Sequence, residues 1–331
     1  MNKFGLKQLI ITSVALLVTS FLLITNAITY YKSRDTLIST VNLESSRAIN
    51  SQADLIESWF QSKAQAIDNT AKHIRLAQQH GEYQSLTEYV QQANDLTTVF
   101  FGLDDGRIYS SENFIPDNYD PTMKPWYQDA KDAEVLDVTG VHNALGKDEL
   151  VISIVKDFPE GVVRGDIDLA ILQKAIDSIN VKGAVAAFID ETGHAIVSNS
   201  TALPYGKSLI DVGMKDTMLK MFTKRELNVG YTLNGVDKLA FSREVNLVND
   251  RKWYLLVGVS KQVAYAALDD MLIEAVIISL SIILLSTLTI TLVLNRLYRP
   301  IIALKKLVLD LGNGDGDLTH RLPVNSKDDL G

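Results

Sequence analysis

The densest run of chemically capable side chains is Tyr119-Asp120-Pro121-Thr122-Met123-Lys124-Pro125-Trp126-Tyr127, which brings together two phenols, an indole and an ammonium. Aromatic faces exclude water and attract cations. A lysine binds an acid group as a compact point charge, without the planar fork of an arginine. The plainer reading of the same run is two core aromatics beside a solvated loop lysine. A second group is Asp166 in Val162-Val163-Arg164-Gly165-Asp166-Ile167-Asp168-Leu169. Strand alternation puts Arg164, Asp166 and Asp168 on one face, turned either toward a ligand or toward water. His142 can donate or accept a hydrogen bond, and an ordinary surface role fits it as well.

Other chemistry is excluded by what the sequence lacks. There is no Cys, so disulfides, Cys-ligated zinc and thiol catalysis are ruled out. No Walker loop, His-Glu-x-x-His pair, Gly-x-Ser-x-Gly elbow or dinucleotide fingerprint occurs, and the 5 His are scattered. The run Asn313-Gly-Asp-Gly-Asp invites a calcium loop. Such a loop needs Gly at its sixth position and Glu at its twelfth, and counting from Asn313 gives Leu318 and Val324. It reads as a connector turn. With a net charge of −8 and no basic run, nucleic acid is not an expected partner. The expectation is a protein that is not an enzyme within these residues and holds no cofactor and no metal.

Two apolar stretches set the topology. Gln8 to Tyr31 carries no charge and follows Lys3 and Lys7. It is long enough for a hydrocarbon core of about 30 Å, and longer than the apolar core of about 7–15 residues typical of a cleaved signal peptide. Residues 9–31 are therefore expected as a retained membrane helix, with Tyr30 and Tyr31 at the interface. The second stretch, Ala275–Asn295, is preceded by Asp269, Asp270 and Glu274 and followed by Arg296, Arg299, Lys305 and Lys306. Basic residues mark cytoplasmic flanks. That predicts a cytoplasmic N-terminus over 1–8, a second span over 272–295, a cytoplasmic segment over 296–331 and an extracytoplasmic region over 32–271.

The outer region begins with an expected stalk helix over 32–80. Ala53, Ile56, Phe60, Ala64, Ile67, Ala71 and Ile74 recur at three- and four-residue spacing without Gly or Pro. The pattern then turns to strands. Thr97–Leu103 and Ile108–Ser111 flank Asp104-Asp-Gly-Arg as a hairpin, and Ala184–Ile189 and His194–Ser198 flank Asp190-Glu-Thr-Gly as a second. Each leads through a loop-rich stretch to further strands: Leu150–Val155 and Gly161–Leu169, then Lys238–Val245 and Lys252–Ser260. The repeated punctuation implies an internal duplication, with lobes over 81–180 and 181–262 joined by a short amphipathic helix at Ile171–Ile179. A last helix from about Gln262 is expected to run directly into the second span. After it, Ile301, Leu304, Val308 and Leu311 form a coiled-coil-like seam on a helix opened by Pro300.

This order resembles the double Cache sensor of bacterial methyl-accepting chemotaxis proteins. Tyr119-x4-Lys124-x-Trp126-Tyr127 matches the spacing of a Y-x4-R-x-W-Y motif of amino-acid-sensing members, and Gly165-Asp166-Ile167 matches their strand aspartate. Lys124 stands where that motif has Arg, and His142 and Ala144 stand where a Tyr and an Asp are usual. Arg299–Leu311 and Leu318-Thr-His-Arg-Leu-Pro-Val resemble the opening of a HAMP relay domain. The resemblance implies an α+β fold: a long N-terminal helix, then two tandem PAS-like lobes with antiparallel sheets, flanked by two transmembrane helices. The first lobe would be membrane-distal and the second membrane-proximal. It further implies a homodimeric receptor in the bacterial inner membrane with its sensor in the periplasm, relaying to cytoplasmic signalling partners that control chemotaxis. The alternative is the sensor half of a membrane-bound histidine kinase or diguanylate cyclase. The expected ligand site is Tyr119, Lys124, Trp126, Tyr127, His142 and Asp166, with Lys124 on the ligand's acid group, Asp166 on its ammonium and aromatic walls between. The expected ligand is an amino acid or related amine.

Overall fold

The computed structural model describes residues 5–78, 82–112 and 114–312. They divide into a helical unit, taken from the residues up to Leu37 and from Ala266 onward, and a mixed α/β unit, Ile38–Tyr265.

The helical unit holds the first part of α1 (Leu6–Gln78) and all of α7 (Ala266–Gly312). Each helix has a stretch long and apolar enough to cross a membrane. Leu16, Leu17, Phe21 and Ile24 on one, and Ile277, Leu280, Leu284 and Leu285 on the other, are exposed. Between the two stretches Asn26 Nδ2 donates to Ser279 Oγ at 2.7 Å, and Lys7 Nζ donates to Asn295 Oδ1. Two sequence expectations change here. The first span and the stalk are one helix of 73 residues, because neither Gly nor Pro interrupts the chain between them. The helix expected to start at Pro300 is a continuation of the second span, with Pro300 inside α7. The ring costs one backbone hydrogen bond there without ending the helix. The lead-in is also interrupted: α6 (Lys261–Ala264) stops at Tyr265, and α7 begins at Ala266. The connector and the segments at Leu318–Val324 and Asp328–Gly331 lie outside the described residues.

The mixed unit is built on the remainder of α1. The first lobe is a six-stranded antiparallel sheet. Its strands are β1 (Thr98–Leu103), β2 (Ile108–Ser110), β3 (Asp137–Val138), β4 (His142–Asn143), β5 (Leu150–Phe158) and β6 (Gly161–Asp168). They lie in the order β2-β1-β6-β5-β3, with β4 also on β5. The second lobe has β7 (Ala184–Ile189), β8 (Ala195–Ser198), β9 (Glu226–Leu233), β10 (Val236–Asn246) and β11 (Lys252–Ser260) in the order β8-β7-β11-β10-β9. The two orders are the same walk through the sheet, which bears out the duplication. Both expected hairpins form. Gly106 and Gly193 take φ of +86° and +92° in their turns, a region that glycine enters without steric cost.

Helices α2 (Tyr83–Asn94), α3 (Pro125–Ala133), α4 (Ala170–Asp177) and α5 (Lys215–Met221) complete the unit. Only α4 was legible in the hydrophobic pattern; α3 and α5 lie in the loop-rich stretches after the hairpins, and α2 lies in a stretch to which the pattern gave no element. Alternation along each strand sorts the side chains into two layers. Val163 and Ile167 of β6, Phe101 of β1 and Ile152 and Ile154 of β5 join Ile56, Phe60, Ile67 and Ile74 of α1 in one buried cluster. Phe188, Phe241, Leu255 and Val257 of the second sheet join the same cluster. Gly165 completes the fit, since a Cβ there would lie 2.6 Å from Ile67 Cδ1. The two lobes are also tied by an ion cluster. Arg251, in the β10–β11 turn, reaches Asp137 on β3 at 2.9 Å and Glu191 at 2.8 Å.

Phe60 is fully buried and meets the Trp253 ring edge-on at 6.1 Å between centroids. Phe60→Ala is expected to lower stability by about 3–5 kcal/mol, the usual cost of an aromatic-sized cavity. Urea denaturation followed by near-ultraviolet circular dichroism measures this. A loss below about 1 kcal/mol would mean that the helix is not the core's spine.

Candidate functional site

Because α1 covers one face of the first sheet, its other face is left to the even-numbered positions of β6. Arg164 and Asp166 both lie on that face and are 4% and 0% exposed. Burying a charge is costly unless it is paired and hydrogen-bonded, and these two satisfy each other. Arg164 Nε donates to Asp166 Oδ1 at 2.6 Å and Nη2 donates to Oδ2 at 2.8 Å. This is a bidentate fork between residues two apart on one strand. Ser153, opposite Asp166 on β5, donates its hydroxyl to Oδ1 at 2.6 Å. The guanidinium is flanked by Phe100, opposite it on β1, at 5.0 Å and by Trp126 at 5.3 Å.

Trp126 is held by α3, whose Pro125 at the first turn fixes the entry of the helix. Its Nε1 donates to the Tyr119 hydroxyl at 3.2 Å, and Lys124 Nζ lies over the Tyr119 ring at 4.8 Å. On the other side, His142 Nδ1 meets Gly140 O at 3.0 Å and Nε2 meets Arg164 Nη2 at 2.9 Å. Because the guanidinium has only protons to offer, Nε2 is the acceptor and Nδ1 carries the hydrogen. Lys124, Tyr119, Trp126, Arg164, Asp166, Ser153 and His142 thus form one chain of contacts.

The structure therefore joins Tyr119, Lys124, Trp126, His142 and Asp166, as the sequence expects, with two differences. Asp166 is not left facing Lys124 across an aromatic wall; Arg164 occupies its oxygens. Tyr127 touches Trp126 edge-on at 5.5 Å, but its hydroxyl turns to the β1–β2 turn and donates to Asp104 Oδ1 at 2.5 Å. Lys131 joins the same carboxylate at 3.0 Å. Sequence reasoning missed Ser153 and Phe100, and it put Arg164 on the Asp166 face without giving it a role in the site. The available signal was an Arg-x-Asp pair on one face of an otherwise apolar strand, a pattern that a half-exposed strand would also show.

The second lobe has no counterpart to this face. There Ala187, Ala240 and Leu256 pack against Leu203, Met214, Met218 and Met221. A cavity of about 30 Å³ remains, lined in part by Tyr231 and Met214. Burial pushes the Tyr231 phenol up to about 12.

The two lobes are thus helix-backed antiparallel sheets of the same strand order, one with a charged outer face and one packed with apolar side chains. The chain belongs to the Cache domain family, whose model matches residues 33–268. It is 26% identical over 288 residues to the methyl-accepting chemotaxis protein PctB of Pseudomonas aeruginosa, covering 84% of this chain and 45% of PctB. The chain spans about half the length of the curated relatives it matches. Among solved structures it is similar to the ligand-binding domain of the Pseudomonas fluorescens chemoreceptor CtaA in complex with L-isoleucine. That match has a TM-score of 0.57 and 20% identity and covers 72% of this chain and 99% of that one. The ligand-binding domain of PctB in complex with L-Gln matches with a TM-score of 0.56 and 25% identity, covering 67% of this chain and 91% of that one.

The Tyr127–Asp104–Lys131 group gives a pH signature. Partial burial would raise the Asp104 carboxyl, but hydrogen bonds from Tyr127 and Lys131 outweigh it and hold the group below the usual carboxylate range. Burial, then the Asp104 carboxylate, push the Tyr127 phenol up. A carboxyl depressed by folding stabilises fully above its unfolded value of about 3.9 and loses that contribution as pH falls through its folded value. Tyr127→Phe should lower the melting temperature at pH 7, and the gap to wild type should close as pH drops below 4. A gap that stays constant with pH would refute the hydrogen bond.

Proposed function

We propose that this chain is the sensory part of a bacterial transmembrane chemoreceptor that binds a small ligand, an amino acid or related amine, on the outer face of the first, membrane-distal lobe. The observation that carries this is the contact chain from Lys124 through Tyr119, Trp126 and Arg164 to Asp166 and His142. Charges are held there by aromatic rings at a face that the backing helix leaves uncovered. Relatives named as methyl-accepting chemotaxis proteins, and neighbours solved with amino acids, support the same reading. Tyr119, Lys124, Trp126 and His142 are the proposed contacts, with Asp166 holding Arg164 in place and Tyr127 bracing Trp126.

The apolar stretches of α1 and α7 would cross the inner membrane, placing residues 32–271 in the periplasm and both ends of the chain inside. This follows from Lys3 and Lys7 before the first span and from Arg296, Arg299, Lys305 and Lys306 after the second. Residues 296–331 would begin a HAMP relay, and two copies would pair through it. Ligand binding would shift the equilibrium of the pair and be read by cytoplasmic chemotaxis partners. Such a shift requires different affinity for the two states.

The test is a thermal-shift and calorimetry screen of amino acids and amines against the 331-residue chain in lipid nanodiscs. A ligand at 100 times its Kd adds about 2.7 kcal/mol. Asp166→Ala should reduce affinity at least about tenfold, because it unpins Arg164 and leaves that charge buried without a partner. A ligand whose affinity is untouched by Asp166→Ala and by Trp126→Ala binds elsewhere.

A further inference from the structure

We propose that Arg164 is the residue that reads the ligand's acid group and that Asp166 is its positioning residue, so that the site selects small carboxylates and does not require an amine. This rests on the first lobe being the ligand site, and it narrows the proposed ligands to those that carry an acid group, so that simple amines drop out.

The hydrogen bonding of Asp166 is the first ground. Oδ1 accepts from Arg164 Nε and from Ser153 Oγ, each at 2.6 Å, and Oδ2 accepts from Arg164 Nη2 at 2.8 Å. A carboxylate offers about four acceptor positions, and three are filled. One position on Oδ2 remains, so an incoming ammonium could make a single bond to Asp166; any more would break the fork and leave Arg164 buried without its counter-charge.

The second ground is the orientation of Arg164. Phe100 and Trp126 lie 5.0 and 5.3 Å from its central carbon, which fixes the plane of the guanidinium. Nε and Nη2 carry its hydrogen bonds, so Nη1 is the terminal nitrogen with donors to spare among the described residues. Arginine presents its donors in a rigid planar array that matches an acid group.

The third ground is the charge count. With His142 in its neutral Nδ1–H form, the site holds two cations, Lys124 and Arg164, against one anion, Asp166. Other acids on this face are engaged elsewhere. Asp137 pairs with Arg251 at 2.9 Å, and Asp168 is exposed to water at the end of β6, where it accepts from the backbone of Ala170. One carboxylate brings the site to neutrality, whereas one ammonium would double its excess.

The experiment is calorimetry on the full chain in nanodiscs, with each of the twenty common amino acids assayed beside its deaminated acid and its decarboxylated amine. For the amino acids that bind, the deaminated acid should bind within about tenfold, a span that one charge-assisted contact covers, and the amine should show no heat. Arg164→Lys, which keeps the charge and loses the fork, should weaken acid binding at least about tenfold. The double variant Arg164→Met with Asp166→Asn replaces the buried pair by groups that fold without a counter-charge; it should keep the melting temperature and lose the acids. Asp166→Asn alone keeps an acceptor for Arg164 and makes the site more positive, so acid binding should persist and become more salt-dependent. A true ammonium acceptor would lose its ligand in that variant. The proposal is overturned if amines bind and deaminated acids do not, or if the double variant binds acids as tightly as wild type. If no member of any set binds, the first-lobe reading falls and this assignment falls with it.

Discussion

The apolar face of α1 is the constraint from which the rest of the mixed unit follows. Ile56, Phe60, Ile67 and Ile74 are each at most 5% exposed, and the same cluster takes in the inner faces of both sheets. A strand has only two faces. Once Val163, Gly165 and Ile167 of β6 are committed to the helix, Arg164 and Asp166 have no choice but the opposite side. The helix thus decides which residues can form a site, although it contributes none of them. Gly165 matters for the same reason: a larger residue there would push the strand that carries the charges away from Ile67.

Both lobes use the same strand order, yet their outer faces diverge. In the second lobe that face is covered by Met214, Met218, Met221 and Leu203, and burial of apolar area stabilises it without directional demands. In the first lobe the equivalent layer is thin, with Trp126, Tyr127, Ala130, Val155 and Val162. Beside it stands a buried ion pair, which rarely adds net stability relative to an apolar replacement of similar volume. One copy of the duplicated sheet thus serves as packed scaffold, while the other keeps a desolvated charge pair at an uncovered face. That difference is what the proposed first-lobe site rests on.

The fold was largely legible in the sequence because its signals are long or repeated. The seven-position apolar series from Ala53 to Ile74, two Asp- or Gly-bearing hairpin turns and two uncharged stretches each span enough residues for periodicity to show. Helices α2, α3 and α5 were not legible: α4 is as short, but Ala170-Ile-Leu-Gln-Lys-Ala-Ile-Asp177 is rich in apolar residues, whereas the other three are mostly polar or broken by aromatic and loop-like runs. Within the site, Tyr119, Lys124, Trp126 and Asp166 could be picked out by spacing, but the partner of Asp166 could not. Lys124 and Arg164 are both cations that a carboxylate would accept, and only the pleat of β6, which brings residues two apart onto one side, decides between them. Tyr127 was misleading for a different reason. Its ring packs beside Trp126 in the same buried layer, and only its hydroxyl, which spacing does not place, turns away to Asp104.

The position of the charge pair also bears on how the lobes are joined. Register aligns Ser110, Phe100, Arg164, Val155 and Asp137 in one row across β2, β1, β6, β5 and β3. Neighbours in such a row are close enough on a pleated sheet for a displaced side chain to press on the next. At its end Asp137, on the first lobe, takes Arg251 of the second lobe, which also holds Glu191. Asp137 is nearly buried and Arg251 only partly so. The lobes are thus joined in two ways, by the buried apolar cluster they share and by this ionic contact, in which Asp137 is the more deeply buried partner. The row that holds Arg164 therefore ends at the ionic contact through which the first sheet meets the second lobe.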